Sequence, residues 1–302
     1  MKHYLYILIV LCALVSCKDN FDIEKMNNQP KLVLYCFPSA QDTTWISVSG
    51  ATPVTKKGKV KATALANLVV SYQVNGEEQK IEKDSLNNLF VVCHQKVGDK
   101  IDITASAEGY PSINASTVIP EIVAIDKVNV TSVTEYDDVQ DYTYHFTQFQ
   151  ATFKDDASTT DYYGVRLMAD EGNGRYEWAP LHTNDEPLLY HLSDLDDSFG
   201  FSEDVYQNFY AFKDTQINGK SYTLHLDLNL SECYDTPKAF KVVLYRITPE
   251  YYHFFTSISN TNNSDLQKYG LSQVTPTYSN ISKGIGVCGG YALSESNWIT
   301  EY

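Results

Sequence analysis

The sequence predicts a mainly β protein carrying one clear helix, and three observations predict it. Apolar residues recur with a period of two in short runs bounded by Gly, Pro and Asn-Gly signals. Residues that suit a pleated, half-buried surface are abundant, with 23 Tyr beside 13 Phe and 3 Trp. One stretch, after Thr248, switches to the helical period.

Taken in order, Lys31-Leu-Val-Leu-Tyr-Cys-Phe37 reads as a buried strand closed by Pro38. Thr44 to Ser49 alternates, with Trp45 on one side of its pleat. Leu68 to Val74 is a strand ended by the hairpin signal Asn75-Gly76. Leu89 to Cys93 follows, then Ile101 to Ala105 after the Val97-Gly98-Asp99-Lys100 turn, then Asn114 to Ile119 before Pro120. Six short strands over roughly ninety residues predict an immunoglobulin- or fibronectin-like β-sandwich spanning 31–120.

Pro120 to Ile125 reads as the link to a second β-rich domain, 121–302. Phe149, Ala151 and Phe153 alternate with polar neighbours, and Tyr162 to Met168 gives another strand. In Tyr222-Thr-Leu-His-Leu-Asp-Leu228 four apolar residues alternate strictly with Thr223, His225 and Asp227, one buried face and one wet face. Phe240 to Ile247 is a mostly apolar strand. The helix has Thr248 as N-cap, Pro249 at its first position and Glu250 at the positive end of the dipole. Tyr251, Phe254, Phe255 and Ile258 form its apolar stripe, and Asn260 to Ser264 ends it.

The amino terminus supplies an address. Lys2 and His3 precede an apolar run, Tyr4 to Val15, of about twelve residues, the length of a signal-peptide core and too short to span a bilayer. Leu14-Val15-Ser16-Cys17 then resembles a bacterial lipobox, in which residues 1–16 are removed and the Cys17 thiol is diacylated by fatty chains of the palmitate type. The plainer alternative is a secretory signal with an incidental cysteine. Residues 17–30, opening Lys18-Asp19-Asn20-Phe21-Asp22, read as a polar tether.

Removing the leader leaves roughly 290 residues, enough for one large or two ordinary domains. The formal net charge of −15 argues against nucleic acid, whose binding rests on clustered Lys and Arg. It also leaves membrane attachment to the lipid anchor. Beyond the leader the cysteines are Cys36, Cys93, Cys233 and Cys288, with no Cys-x-x-Cys pair to suggest zinc. They could stay reduced or form two bridges, and Cys36–Cys93 with Cys233–Cys288 keeps each bridge within one domain.

Several patterns resemble chemistry and have plainer readings. Gly284-Ile285-Gly286-Val287-Cys288-Gly289 spells G-x-G-x-x-G, yet no strand–helix–strand unit follows, so tight turns or close backbone approach are expected and no cofactor. Asp194, Asp196 and Asp197 within Ser193–Gly200, and Asp137, Asp138 and Asp141, are acidic turns with the oxygen chemistry calcium uses but no EF-hand spacing. His94, His145, His182, His191, His225 and His253 lack the spacing of a metal-hydrolase motif, and no nucleophile elbow exists. The residues therefore suggest no metal and no enzyme. Tyr176 and Trp178, in a Gly-flanked loop region after Gly172 and Gly174, either stack on a glycan or peptide or seal the core edge.

Lys31-Leu32-Val33-Leu34, Asp161-Tyr162-Tyr163, Asn218-Gly219-Lys220, Pro249-Glu250-Tyr251-Tyr252, Tyr278-Ser279-Asn280-Ile281 leading into Gly284-Ile285-Gly286, and Gly289-Gly290 are landmarks spread over nearly the whole chain after the leader. In these the chain resembles a Bacteroidota lipoprotein family, domain of unknown function 4249. Members usually carry an aromatic at the place of Cys288. The resemblance implies an outer-membrane lipoprotein of two β domains, often encoded beside TonB-dependent receptors, and carries no catalytic residues. The expected function is an anchored accessory binding module for a TonB-dependent β-barrel transporter, facing the surface or the periplasm. The rivals are a structural scaffold of an envelope complex and an unrecognised glycan or peptide hydrolase.

Overall fold

The computed structural model describes residues 30–41, 43–51, 65–139, 141–183, 186–191, 208–233, 236–262 and 277–302. Cys17, most of the tether and the acidic run Ser193–Gly200 lie outside the described residues. The protein is mainly β, as its periodicity predicts, with one α-helix among the described residues. No helix among them is long and apolar enough to cross a membrane. In chain order the strands are β1 (Lys31–Cys36), β2 (Thr43–Ala51), β3 (Val69–Val74), β4 (Glu77–Glu78), β5 (Ile81–Lys83), β6 (Leu89–Val92), β7 (Lys100–Ser106), β8 (Ile113–Val118), β9 (Ile125–Asp137) and β10 (Tyr142–Lys154). Then come β11 (Tyr162–Gly172), β12 (Arg175–Ala179), β13 (Tyr190–His191), β14 (Tyr210–Lys213), β15 (Ser221–Leu228), β16 (Ala239–Ile247), α1 (Pro249–Asn262), β17 (Ile285–Cys288) and β18 (Tyr291–Glu295).

The first eight strands form two facing sheets, ordered β1-β2-β6-β5 and β4-β3-β7-β8. Lettered in chain order, these are the A-B-E-D and C′-C-F-G sheets of an immunoglobulin-type sandwich. Ile101, Ile103 and Ala105 of β7 and Ile113 and Ala115 of β8 point inward, alternating with more exposed neighbours. Asn75 and Gly76 both take positive φ, 51° and 85°, as the tightest hairpin turn demands. The short strands β4 and β5, two and three residues long, carry too little periodicity to be read from sequence.

The second half is layered. A three-stranded sheet, β15-β10-β9, packs Phe149, Ala151, Phe153, Leu224, Leu226 and Leu228 against one face of a larger sheet ordered β13-β14-β11-β16-β18, with β12 beside β11. The other face of that sheet, through Tyr162, Ala211, Val243, Tyr245 and Ile247, is covered by Tyr251, Phe254, Phe255 and Ile258 of α1. The predicted helical stripe is therefore core packing. Thr248 sits where the N-cap was expected, and its carbonyl accepts from Tyr252 N at 3.1 Å. Its hydroxyl is buried without a partner, so the side-chain cap predicted from its identity does not form.

The two halves are joined by β17, which pairs in parallel with β1 and becomes the outermost strand of the first sandwich's sheet. Strand β1 is thus buried on both faces. Leu32, Leu34 and Cys36 enter the sandwich core, while Val33, Tyr35 and Phe37 pack in the layer that holds α1. Asn280 closes the free edge of β17, donating from Nδ2 to the Cys288 carbonyl at 2.8 Å and accepting from Cys288 N at 3.0 Å. Further stitches are Ser282 N to the Asn114 carbonyl at 2.9 Å and Gly290 N to Thr117 Oγ1 at 3.0 Å.

The G-x-G-x-x-G glycines serve this junction. A Cβ on Gly286 would lie 2.0 Å from the Leu34 carbonyl oxygen, and φ there is +111°. Gly286→Ala is expected to destabilise the protein by about 2–4 kcal/mol in urea unfolding, because strain and a backbone clash act together. Gly76→Ala, also at positive φ but facing open space, is the control and should cost only about 1 kcal/mol.

Candidate functional site

Strands β9 and β10 are 13 residues each, but β15 accompanies β10 only from Thr147 to Lys154. Beyond Thr147 the hairpin continues as a two-stranded ribbon, a form that is only marginally stable without support. The support is a ring ladder on one face. Tyr142 meets Tyr144 at 4.9 Å between centroids, Tyr144 meets Phe146 at 6.1 Å, and Phe146 meets His182 at 4.9 Å. On the opposite face Tyr136 donates to Asp141 Oδ1 at 2.7 Å. Tyr136, Val139 and Tyr142 are 61%, 90% and 56% exposed, an apolar tip. No Lys or Arg occurs between Lys127 and Lys154, whereas Glu135, Asp138 and Asp141 fall at or beside the tip. The expected acidic turn at Asp137–Asp141 is therefore the end of this ribbon. Strand β9 was not foreseen, although Tyr142-x-Tyr144-x-Phe146 carries the period-two signal that reveals its partner.

Tyr176 and Trp178 lie on β12, not on a loop. Gly172, Asn173 and Gly174 make the turn with φ of 86°, 56° and 77°, and the following residues pair with β11. Trp178 belongs to the core edge. Its ring lies 4.6 Å from the guanidinium carbon of Arg166, which is also 5.0 Å from the Phe209 ring. Tyr176 is exposed and stacks on Trp298 at 5.6 Å with planes 22° apart. Lys241 Nζ sits 4.6 Å from the Trp298 ring and pairs with Glu295 at 2.7 Å. The result is a stacked aromatic pair flanked by a cation and an anion, chemistry that suits a sugar face or a peptide side chain. Trp298, distant in the chain, has no local signal to mark it.

Three buried carboxylates meet where strands end. Asp155 follows β10, Asp161 precedes β11 and Asp214 follows β14, with ligand oxygens within 4.8 Å of one another. Asp155 accepts from Tyr163 OH at 2.5 Å and from Gly219 N at 2.7 Å. Asp161 accepts from Arg246 Nη2 at 2.5 Å and Thr159 Oγ1 at 2.9 Å, and Asp214 accepts from Asp161 N at 2.6 Å. Burial and the Asp155 bond push the Tyr163 hydroxyl far above its ordinary range, so it stays a donor. This donor set makes the trio a tie between strand ends; a hard cation would have to share or displace these hydrogen bonds.

The thiols are placed differently from the pairing expected. Cys36, Cys93, Cys233 and Cys288 are all free. Cys233 packs against the second core and Cys288 lies in the first, while β2 lies between β1 and β6, after which Cys93 follows, so neither expected bridge is brought together. Instead Cys36 and Cys288 face each other across β1 and β17. His94 lines an open polar groove of about 390 Å³ with Asn75, Glu77, Gln79, Lys96 and Asp99. His182 meets Glu232 at 2.9 Å, His225 Nδ1 lies 3.7 Å from the buried Glu186, and His253 packs between Tyr162 and Tyr278.

Two fused β-sandwiches, one covering helix among the described residues, an aromatic ribbon and an aromatic platform define a β-domain protein. It belongs to the family described as Domain of unknown function (DUF4249), which matches residues 18–297. No curated protein is detectably similar to the chain. The landmarks Asp161 and Gly219 both fall in the carboxylate tie, and Asn280 on the β17 edge. Arg246→Met, which strips Asp161 of its buried cation, is expected to cost about 3–5 kcal/mol in urea unfolding.

Proposed function

We propose that the protein is an outer-membrane-anchored lipoprotein serving as an accessory binding module for a TonB-dependent nutrient transporter. The observation that carries the reading is the projecting ribbon, whose exposed Tyr136, Val139 and Tyr142 offer an apolar, acid-rimmed contact for another protein. The leader ending at Cys17 and the polar tether supply the anchor in this reading, since two or more fatty chains hold a polar body stably at a bilayer. The Tyr176–Trp298 pair would receive the glycan or peptide that is presented or sensed. The role is non-enzymatic and uses no cofactor. For the hydrolase alternative, the clustered carboxylates among the described residues, Asp155, Asp161 and Asp214, are already engaged by protein donors. A scaffold role is favoured by the same ribbon if the aromatic platform binds nothing.

The test is recovery of partners with the lipidated protein under gentle detergent. Wild type should bring down a β-barrel transporter, and the single substitution Val139→Ser, which leaves the ring ladder and the Tyr136–Asp141 bond intact, should cut that recovery severalfold without moving the melting temperature. Cys17→Ala should shift the protein to the soluble fraction. If wild type recovers no barrel, the accessory reading is lost. Thermal shifts by glycans or peptides that vanish in Trp298→Ala separate a ligand-binding module from a scaffold.

A further inference from the structure

Among the buried nucleophiles, two have been brought together from opposite ends of the chain. Cys36 ends β1 and Cys288 ends β17, and the two are direct register partners. Adjacent strands lie about 4.8 Å apart, inside the Cα separation of about 4.4–6.8 Å that a disulfide spans. Paired residues on neighbouring strands project to the same face, and both side chains enter the same core with no exposed surface. The neighbouring Cys288 thiol, with burial, holds the Cys36 thiol well above its ordinary range.

We propose that Cys36 and Cys288 form a disulfide that locks β17 onto β1 in the exported protein. The proposal rests on the export reading above, because thiols in a reducing cytosol stay free. The oxidant is the disulfide of an envelope thiol oxidoreductase. One cysteine thiolate attacks it to give a mixed disulfide, and the second cysteine then displaces the oxidoreductase. One S–S bond forms between Cys36 and Cys288, the oxidant's S–S bond becomes two thiols, and the two thiol protons of this protein are released or carried by that dithiol. With zero exposure in the folded state, both sulfurs must react before the sandwich closes over them. Cys233 packs against the second core, and Cys93 borders the same core as the pair but follows β6, which β2 separates from β1; both remain free thiols.

The test uses the full chain, leader included, purified from membranes without reductant. It is denatured in iodoacetamide, digested and mapped by mass spectrometry. A cross-linked peptide pair joining Cys36 to Cys288, with Cys93 and Cys233 alkylated, is the expected result. Alkylated Cys36 and Cys288 in membrane-anchored protein lacking its leader overturns the proposal, as does a Cys36–Cys93 bridge. If the leader is retained and the protein stays cytosolic, the export reading has failed by itself. The pairing is then tested by refolding the reduced, denatured chain in oxidised glutathione, where the same bridge must form or the proposal falls. Reduction of the bridge should lower the melting temperature by about 5–10 °C, and the combined substitution Cys36→Ala with Cys288→Ala should melt identically before and after reduction.

Discussion

Everything in this molecule depends on one parallel strand pairing, β17 against β1. An edge strand of an immunoglobulin-type sandwich normally leaves a row of backbone groups facing water or needing protection. Here that row is used. The first sandwich's edge receives a strand from the far end of the chain, and Asn280 supplies the amide that satisfies the new edge in turn. The approach is possible because Gly286 has no side chain where the Leu34 carbonyl must pass. On the other side, Val287 and Tyr35 extend into the aromatic layer of α1, so the same four-residue strand seats in two cores.

Double burial also explains which elements could be read in the amino-acid order. Strand β15 sends Leu224, Leu226 and Leu228 into one core as its strict alternation announced, but the polar face expected to be wet is half-covered, with Thr223 and His225 half-buried and Asp227 buried against Gln148. The apolar runs in β1 and β16 come from facing two cores: Val243, Tyr245 and Ile247 look one way, Phe240, Val242 and Leu244 the other. Such runs read as strands, yet nothing local says which partners lie on either face. The helix stripe and the Asn75-Gly76 turn were legible because their determinants lie within a few residues of one another. Strand β12 was hidden by the glycines of its own turn, and β9 by a pattern diluted with Asn, Ser and Thr.

The candidate surfaces follow the same logic. Half of the aromatic platform, Tyr176, was marked by its neighbours, whereas Trp298 reaches it only through the fold. Trp178 was tempting for its ring, but Arg166, a buried cation, takes it into a box of aromatic faces. The carboxylate tie joins residues from three separate strand ends, a proximity created by sheet order and by no spacing in the chain. Long-range pairing thus determines the chemistry on display as well as the shape beneath it.

The late position of β17 bears on how the protein is made. Ribosomes deliver the amino terminus first, so β1 emerges long before the strand that completes its sheet. The first sandwich cannot finish ahead of the second, as consecutive domains usually do. Loop closure over most of the chain makes the final step slow and leaves an open, apolar edge during the wait. A nascent chain of this kind gains from being kept extended until β17 is available, so that both sandwiches mature in one piece.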